Sequence, residues 1–341
     1  MRAIEYTHTG APDVLTLVDR ATPSAAPGEV IVRIAVSAVN PTDWKSRAGS
    51  GDGAALPHPQ VPNQDGAGIV DSVGTGVTSV APGERVWIWD AAYQRSDGTA
   101  QELALLPVGQ IVPMPDSVSF DVGASIGIPA LTAHRALTAR EGGPAELAPH
   151  TLDGTVVLVA GGAGAVGHAA IQLAVWAGAT VISTVSSDEK EALATAAGAH
   201  HVLNYRTEDV ATNVRRLAPD GVDIVVEVNA IANLALDLAI LSMGGTVSMY
   251  AGGGVDQPTI PIRAAMSKNA RLQFLMTYTT SRAQKAAAIR SVSAAAADGV
   301  LGVGAENGLP LIRFNLERTA DAHRAVENNA IGKVLIDVAP L

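Results

Sequence analysis

Short apolar runs punctuated by glycine and proline fill the first third of the chain; apolar runs separated by helical repeats fill the middle. Val30–Val36 is β-branched and long enough for a strand, and it follows the turn signal Ala26-Pro27-Gly28. Gly68–Gly74 and Arg85–Trp89 read the same way, with Ala81-Pro82-Gly83-Glu84 between them. Many short strands with such punctuation predict a compact, mostly β, barrel-like domain. From about residue 155 strands and helices alternate. Strands are expected at Thr155–Ala160, Thr180–Val185, His201–Tyr205, Val222–Val228, Gly245–Tyr250 and Arg271–Met276. Helices are expected at Ala165–Ala177, Asp188–Ala197, Glu208–Leu217 and Asn233–Leu241. That alternation predicts a parallel, doubly wound sheet. Ser281–Asp298 is Ala-rich and helical, and Lys333–Val338 is strand-like.

Residues 154–187 carry no Asp, Glu, Lys or Arg, which a hydropathy scan would read as a membrane span. Gly161, Gly162, Gly164, Gly167 and Gly178 break the stretch, with His168 and Gln172 between them. An apolar run, a glycine cluster, a helical repeat and a second apolar run instead describe a strand–turn–helix–strand unit buried on both faces. Met1-Arg2-Ala3-Ile4-Glu5-Tyr6 has neither an apolar core nor a small-residue cleavage site, so no signal peptide is expected and the cytoplasm is the expected location.

Composition narrows the chemistry. The 341 residues are 48% hydrophobic and 16% charged, a globular balance with length for two cores. A net charge of −10 without a Lys/Arg cluster disfavours nucleic acid as a partner. No cysteine is present, which removes disulfides, thiolate nucleophiles and sulfur-ligated metals.

Gly162-Ala163-Gly164-Ala165-Val166-Gly167 has the G-x-G-x-x-G spacing and lies directly between a predicted strand and a predicted helix. Glycines there allow the tight turn, the close approach of backbone to a pyrophosphate and the packing of helix on strand, while the N–H groups of the helix start face the anion. Dinucleotide binding follows. An NAD site usually carries an acid at the end of the second strand. This chain has Ser183-Thr184-Val185-Ser186-Ser187 before Asp188, Glu189 and Lys190. Ser186-x-x-Glu189 fits a capping box and Asp188 a first-turn acid, so both carboxylates read as helix initiation and NADPH is favoured.

With these segments in order, the chain resembles the medium-chain dehydrogenase/reductase superfamily, and within it the zinc-independent, zeta-crystallin-like quinone oxidoreductases. The resemblance rests on Val39-Asn40-Pro41-Thr42-Asp43, Gln64-Asp65-Gly66-Ala67-Gly68, Pro82-Gly83-Glu84-Arg85-Val86, Gly127-Ile128-Pro129-Ala130-Leu131-Thr132-Ala133, Val222–Glu227, Gly244-Gly245-Thr246-Val247 and Gly332–Ile336. It implies a GroES-like, mostly β-barrel catalytic domain over 1–125, completed by 278–341, and a Rossmann NADPH-binding domain over 126–277. It also implies an α/β enzyme that passes hydride from NADPH to quinones or α,β-unsaturated carbonyl compounds, and a homodimer joined through the edge strand Arg271–Met276. No membrane or nucleic-acid partner is implied. Zinc enzymes of the superfamily carry a Cys and a His-Glu pair where this chain has Pro41 and Gln64-Asp65, so no metal is expected.

By the same resemblance Asn40, Asp43 and Thr132 line the nicotinamide and substrate region. Lys190 and Tyr205 flank the 2′-phosphate beside Ser186. Gly162, Gly164, Ala165, Val166, Gly167, Asn229, Gly252 and Gly253 contact the rest of the coenzyme. Lys45 stands where some members have Tyr, Asn63 where they have Gly, and Asn329 where some have a basic residue. Lys45 either supplies positive charge to a developing oxyanion or is solvated. His200-His201 reads as a surface pair and His168 as packing against the sheet. Trp44, Trp87, Trp89 and Tyr93 fit either an aromatic-accepting cleft or the core. The rival readings are a dedicated enoyl reductase and a non-catalytic, crystallin- or sensor-like NADPH-binding protein.

Overall fold

The computed structural model describes residues 1–252 and 259–339, so Gly253 lies outside the described residues. The chain forms two units, Met1–Ile128 with Leu311–Leu341, and Pro129–Pro310.

The first unit opens with β1 (Arg2–His8), β2 (Thr16–Asp19), β3 (Glu29–Val39), α1 (Pro41–Ala48) and β4 (Ala55–Gln60). It continues with β5 (Asp65–Val73), β6 (Arg85–Ile88), β7 (Leu103–Pro107), β8 (Ile111–Pro113) and α2 (Phe120–Ser125). β3 is the hub, antiparallel to β5 and, over Glu29–Arg33, to β7. Its β-branched residues suit a pleated surface covered on both faces. Val30, Val32 and Ile34 are buried with Val70, Val86, Ile88 and Leu106 in one core. Gly68 sits where β3 and β5 shift register; a Cβ there would lie 2.0 Å from the Arg33 carbonyl oxygen, so only glycine allows the approach.

The second unit contains α3 (Ile128–Leu137), β9 (Val156–Ala160), α4 (Ala165–Trp176), β10 (Thr180–Val185), α5 (Asp188–Ala196), β11 (His201–Asn204) and α6 (Val210–Leu217). β12 (Val222–Glu227), α7 (Ala230–Ile240), β13 (Leu241–Met249), α8 (Ile262–Ser267), β14 (Arg271–Phe274) and α9 (Arg282–Ala297) follow. Among the described residues the strands pair in parallel in the order β11-β10-β9-β12-β13-β14. This is the doubly wound order, reversing between β9 and β12, where such sheets bind ligands at the carboxyl ends of their strands. No helix among the described residues is long and apolar enough to cross a membrane.

The chain then re-enters the first unit as β15 (Leu311–Asn315), α10 (Thr319–Glu327) and β16 (Lys333–Asp337), with β16 antiparallel to β3. This return begins at 311 and not at the expected 278. The reason is α9: its Ser291 hydroxyl reaches His134 of α3 and accepts the Leu147 N–H, and α9 packs on α4, so residues 278–310 belong to the second unit. The first boundary falls after Ile128, three residues beyond the expected 125. α7 starts at Ala230, ahead of the expected Asn233, because Asn229 ends β12's turn and the Ala232 and Asn233 amides already bond back to its carbonyl.

Candidate active site

The corner between β3 and α1 holds a buried polar lattice in the first unit. The Asn40 side chain donates to Asp65 Oδ2 at 2.7 Å and accepts from Lys333 Nζ at 2.7 Å. Asp65 also accepts the Ile128 N–H through both oxygens, at 3.0 and 2.9 Å. Asp43, at the third position of α1, takes the Asn40 N–H at 2.6 Å and the Gln64 N–H at 3.1 Å, tying the helix start to the entry of β5. None of Asn40, Asp43, Asp65 and Lys333 is more than 3% exposed. Burial pushes Asp43 up to about 8, against the pull of the Asn40 N–H, and Asp65 up to about 6, against the pull of Lys333. Burial pushes the Lys333 ammonium down, while Asp65 and Asp43 hold it up.

A second chain of hydrogen bonds backs this lattice. Thr99 Oγ1 donates to the Asp65 carbonyl and pairs with Ser37 Oγ; Ser37 accepts from Asn63, and Asn63 Oδ1 meets His323 Nε2 at 2.9 Å. Asn63 replaces the expected glycine at φ 79°, and its amide is spent on these two contacts. Burial and then Arg47 push His323 down to about 3, so it is neutral. Gln64 accepts the Ala92 N–H through Oε1. Among the described residues no group of three or more His, Asp or Glu gathers at metal-ligand spacing.

In the second unit the glycine turn follows β9. Gly161 has φ 70°, and a Cβ on Gly167 would lie 2.4 Å from the Gly161 carbonyl oxygen, which is why α4 can start hard against the strand end. A Cβ on Gly162 would lie 2.1 Å from Ser183 Oγ. Gly164 precedes α4, and Ala165 and Val166 form its half-buried first turn. His168 is buried against the Asn307 carbonyl at 2.8 Å and pushed down to about 4 by burial, a packing residue.

At the carboxyl end of β10, Lys190 Nζ donates to Ser186 Oγ at 3.1 Å. β10 pairs Val185 with Asn204, so Tyr205, 52% exposed, emerges beside Ser186. The helix cap differs from the expected Ser186–Glu189 box. Ser187 caps α5 and accepts the Lys190 N–H, leaving Asp188 and Glu189 exposed in the first turn. Ser183, on β10, is buried and donates to the Val159 carbonyl. Ser186 and Lys190 remain.

At the end of β12, Asn229 precedes α7, and its buried Oδ1 has no hydrogen-bond partner. Gly252 is exposed after β13. Thr132 on α3 is buried, and its hydroxyl pairs with Thr277 at 2.5 Å. Lys45 does not join the buried lattice: it is exposed on α1 with its Nζ 5.8 Å from the centre of the Trp44 ring. Trp87 is core at 1% exposed, while Trp44, Trp89 and Tyr93 are half-buried. His200 and His201 are exposed, and His200 Nδ1 accepts the Val181 N–H. Lys333, Thr277 and the carboxyls of β12 and α7 were not singled out as site residues from sequence. A lysine inside the apolar run Lys333–Val338 was the one available signal.

The family description "Alcohol dehydrogenase GroES-like domain" matches residues 26–116, and "Zinc-binding dehydrogenase" matches 165–294. The chain is 31% identical to a Rattus norvegicus quinone oxidoreductase, over 98% of this chain and 97% of that one, and 32% identical to the Mus musculus protein over the same shares. Among solved structures it resembles an NAD-dependent alcohol dehydrogenase (28% identical, TM-score 0.85, covering 99% of this chain and 100% of that one). It also resembles a mycobacterial protein solved with NADPH (29% identical, TM-score 0.80, covering 98% and 99%). The fold and site therefore define a two-domain nicotinamide-type oxidoreductase of the medium-chain dehydrogenase/reductase superfamily. Within that superfamily the chain belongs to the quinone oxidoreductase family.

The lattice makes a pH-dependent prediction. Carboxyls whose folded values are raised contribute stability that is present below their unfolded value near 4 and lost as pH rises through about 6 and about 8. Lys333→Met leaves them without a counter-charge, so it should lower stability by ~3–5 kcal/mol at pH 8. The deficit should shrink by pH 5, where both carboxyls hold protons. Urea unfolding at the two pH values measures this, and a deficit independent of pH would contradict it.

Proposed function

We propose that this protein is an NADPH-dependent, zinc-independent reductase that passes hydride to quinones or α,β-unsaturated carbonyl compounds. The observation that carries the coenzyme half is the Ser186–Lys190 pair at the end of β10, with Tyr205 exposed beside it and no carboxylate at the strand end. A 2′-phosphate brings nearly two negative charges and acceptor oxygens, which a lysine and two hydroxyls suit. The NADPH complex of the mycobacterial relative and the quinone oxidoreductase names of the rodent relatives support the same reading.

The second unit's residues fit a dinucleotide. The N–H groups at the start of α4, after Gly162 and Gly164, would hold a pyrophosphate, and Asn229, whose buried Oδ1 has no partner, would supply an acceptor to the coenzyme once the turn admits it. NADPH, when bound, supplies the hydride. Thr132 holds its hydroxyl in place through Thr277, ready to orient a polar group of nicotinamide or acceptor. In the first unit the superfamily's zinc-ligand positions are Pro41, Gln64 and Asp65, and the last two are committed to Ala92, Asn40 and Ile128. A quinone or enone is electron-poor enough to accept hydride without a Lewis acid, given alignment of the two carbons. Alcohol oxidation runs the other way, with the alcohol as hydride donor, and in the zinc enzymes of the superfamily the metal acidifies its hydroxyl.

An acceptor panel of simple quinones and enones tests this, run on exhaustively chelated protein with NADPH and with NADH. NADPH oxidation should depend on the acceptor and survive chelation. A charge-assisted hydrogen bond contributes ~1.5–3 kcal/mol, so Lys190→Ala should raise the KM for NADPH about 10- to 100-fold and leave NADH nearly unchanged. Activity that returns only with zinc would reject the metal-free reading. A wild-type preference for NADH would show Asp188 or Glu189 reading the ribose.

We also propose a homodimer joined along β14. Among the described residues this is one of the two edge strands of the parallel sheet, and Phe274 and Met276, 68% and 61% exposed, give it an apolar flank. Light scattering at micromolar concentration should give twice the 34.7 kDa chain mass, falling to one chain in Phe274→Asp. A monomeric wild type would overturn it.

A further inference from the structure

Two carboxyls lie buried behind the turn that leaves β12. Glu227, the last residue of that strand, is fully buried, and Asp237, two turns into α7, is 1% exposed. Glu227 accepts the Asn229 N–H through Oε1 and the Asn233 side-chain amide at 3.1 and 3.3 Å. The Asp237 carboxyl is its other partner, and Asp237 Oδ2 touches no further polar group. Two carboxyls can hydrogen-bond only if one keeps a proton. Glu227 is supplied with N–H donors, which favour its charged form, and Asp237 has none. The proton therefore sits on Asp237.

We infer that Glu227 and Asp237, sharing one proton, are positioning residues that hold the Val228–Asn229 turn in its coenzyme-binding shape, and that loss of the proton releases the turn. The inference rests on the NADPH reading above. The turn lies at the carboxyl end of β12 beside the glycine turn: a Cβ on Gly161 would lie 3.3 Å from Val228 Cγ1. Asn229 carries the unpartnered acceptor described above. If the Asn229 N–H lost Glu227 as its partner, Asn229 would no longer be fixed.

Burial, and then the charge of Glu227, push Asp237 well above the usual carboxylate range. While the pair keeps its proton the two carboxyls bond; once it is lost two like charges share a dry site. Among the described residues, the other charged groups on the packed elements do not supply a counter-charge, and Arg263 of α8 is exposed. Tyr250, after β13, is held protonated far above its usual range by burial and then by Glu227. Arg215 and Arg216 of α6 are exposed. Lys268, after α8, binds the Ala239 and Leu241 carbonyls at the far end of α7.

The test uses the full-length protein and two readouts, from pH 7 to pH 10. The first is amide hydrogen exchange of the segment 228–234 without coenzyme, corrected for the intrinsic pH dependence of exchange. The second is NADPH affinity by titration of coenzyme fluorescence. Wild type should show the segment opening toward the alkaline end of the range, with NADPH affinity falling about tenfold more than in Asp237→Asn, as expected for loss of one hydrogen bond. Asp237→Asn keeps a donor toward Glu227 that cannot ionise, and should keep segment 228–234 closed across the range. Glu227→Ala, which removes the acceptor of the Asn229 N–H, should expose the segment at every pH and raise the KM for NADPH more than it lowers kcat. Failure of wild type to bind NADPH at pH 7 would sink the coenzyme reading and leave the exchange result to judge the pair. Wild-type exchange that stays flat through pH 10, or equal pH profiles in wild type and Asp237→Asn, would overturn the inference, even if a variant failed to fold.

Discussion

Asp65 is the constraint on which the first unit's candidate site depends. Its carboxylate is wholly buried, and a charge in that position is tolerable only if it is paired and hydrogen-bonded. Lys333 supplies the counter-charge, Asn40 bridges the two, and the Ile128 N–H takes up the remaining lone pairs. These partners come from widely separated segments: Asn40 from the end of β3, Lys333 from the start of β16, and Ile128 from the last residue of the unit's N-terminal part. The lattice thus closes the unit on itself while fixing the corner at which α1 begins. Removing one partner strands another, so the site's geometry and the fold's stability are one problem.

The second unit solves a different problem, presenting backbone rather than charge. Its glycines at 162 and 167 are required by contacts of 2.1 and 2.4 Å that any Cβ would make, and they let the start of α4 lie close over β9. Around that turn the polar side chains divide by task. Ser183 and Ser187 are consumed by the fold, one against a strand carbonyl and one as a helix cap. Ser186 and Lys190 bond each other, Tyr205 is exposed, and Asn229 Oδ1 has no partner. Glu227 and Asp237 lie behind, with no access of their own.

Much of this was legible in the chain. The strand–glycine turn–helix order at 156–176 and the alternation after it follow from periodicity, because a parallel sheet buried on both faces writes continuous apolar runs. The absence of a strand-end acid was readable, and so were Pro41 and Gln64 at the metal positions. What could not be read was pairing at a distance. Nothing near residue 333 says that its lysine meets Asn40, 293 positions away. The cap was misplaced by one residue because Ser186 and Ser187 are chemically equivalent candidates, and only backbone geometry chooses between them. The return of the chain at 311 depends on α9 packing through Ser291, whose Ala-rich surroundings carry little periodicity. Lys45 and Asp43 lie two residues apart on one helix, yet one is solvated and the other buried.

The most direct test of this account is a double-mutant cycle between Lys333 and Asp65, with stability measured by urea unfolding near neutral pH. Lys333→Met and Asp65→Asn each remove one charge and leave the other buried. Both should be strongly destabilising alone, by ~3–5 kcal/mol. The double variant removes both charges and keeps an amide toward Asn40, so it should cost ~1–3 kcal/mol less than the sum of the two single losses. Strict additivity of the two substitutions would contradict the account, because it would mean that the ammonium and the carboxylate do not hold each other in the fold.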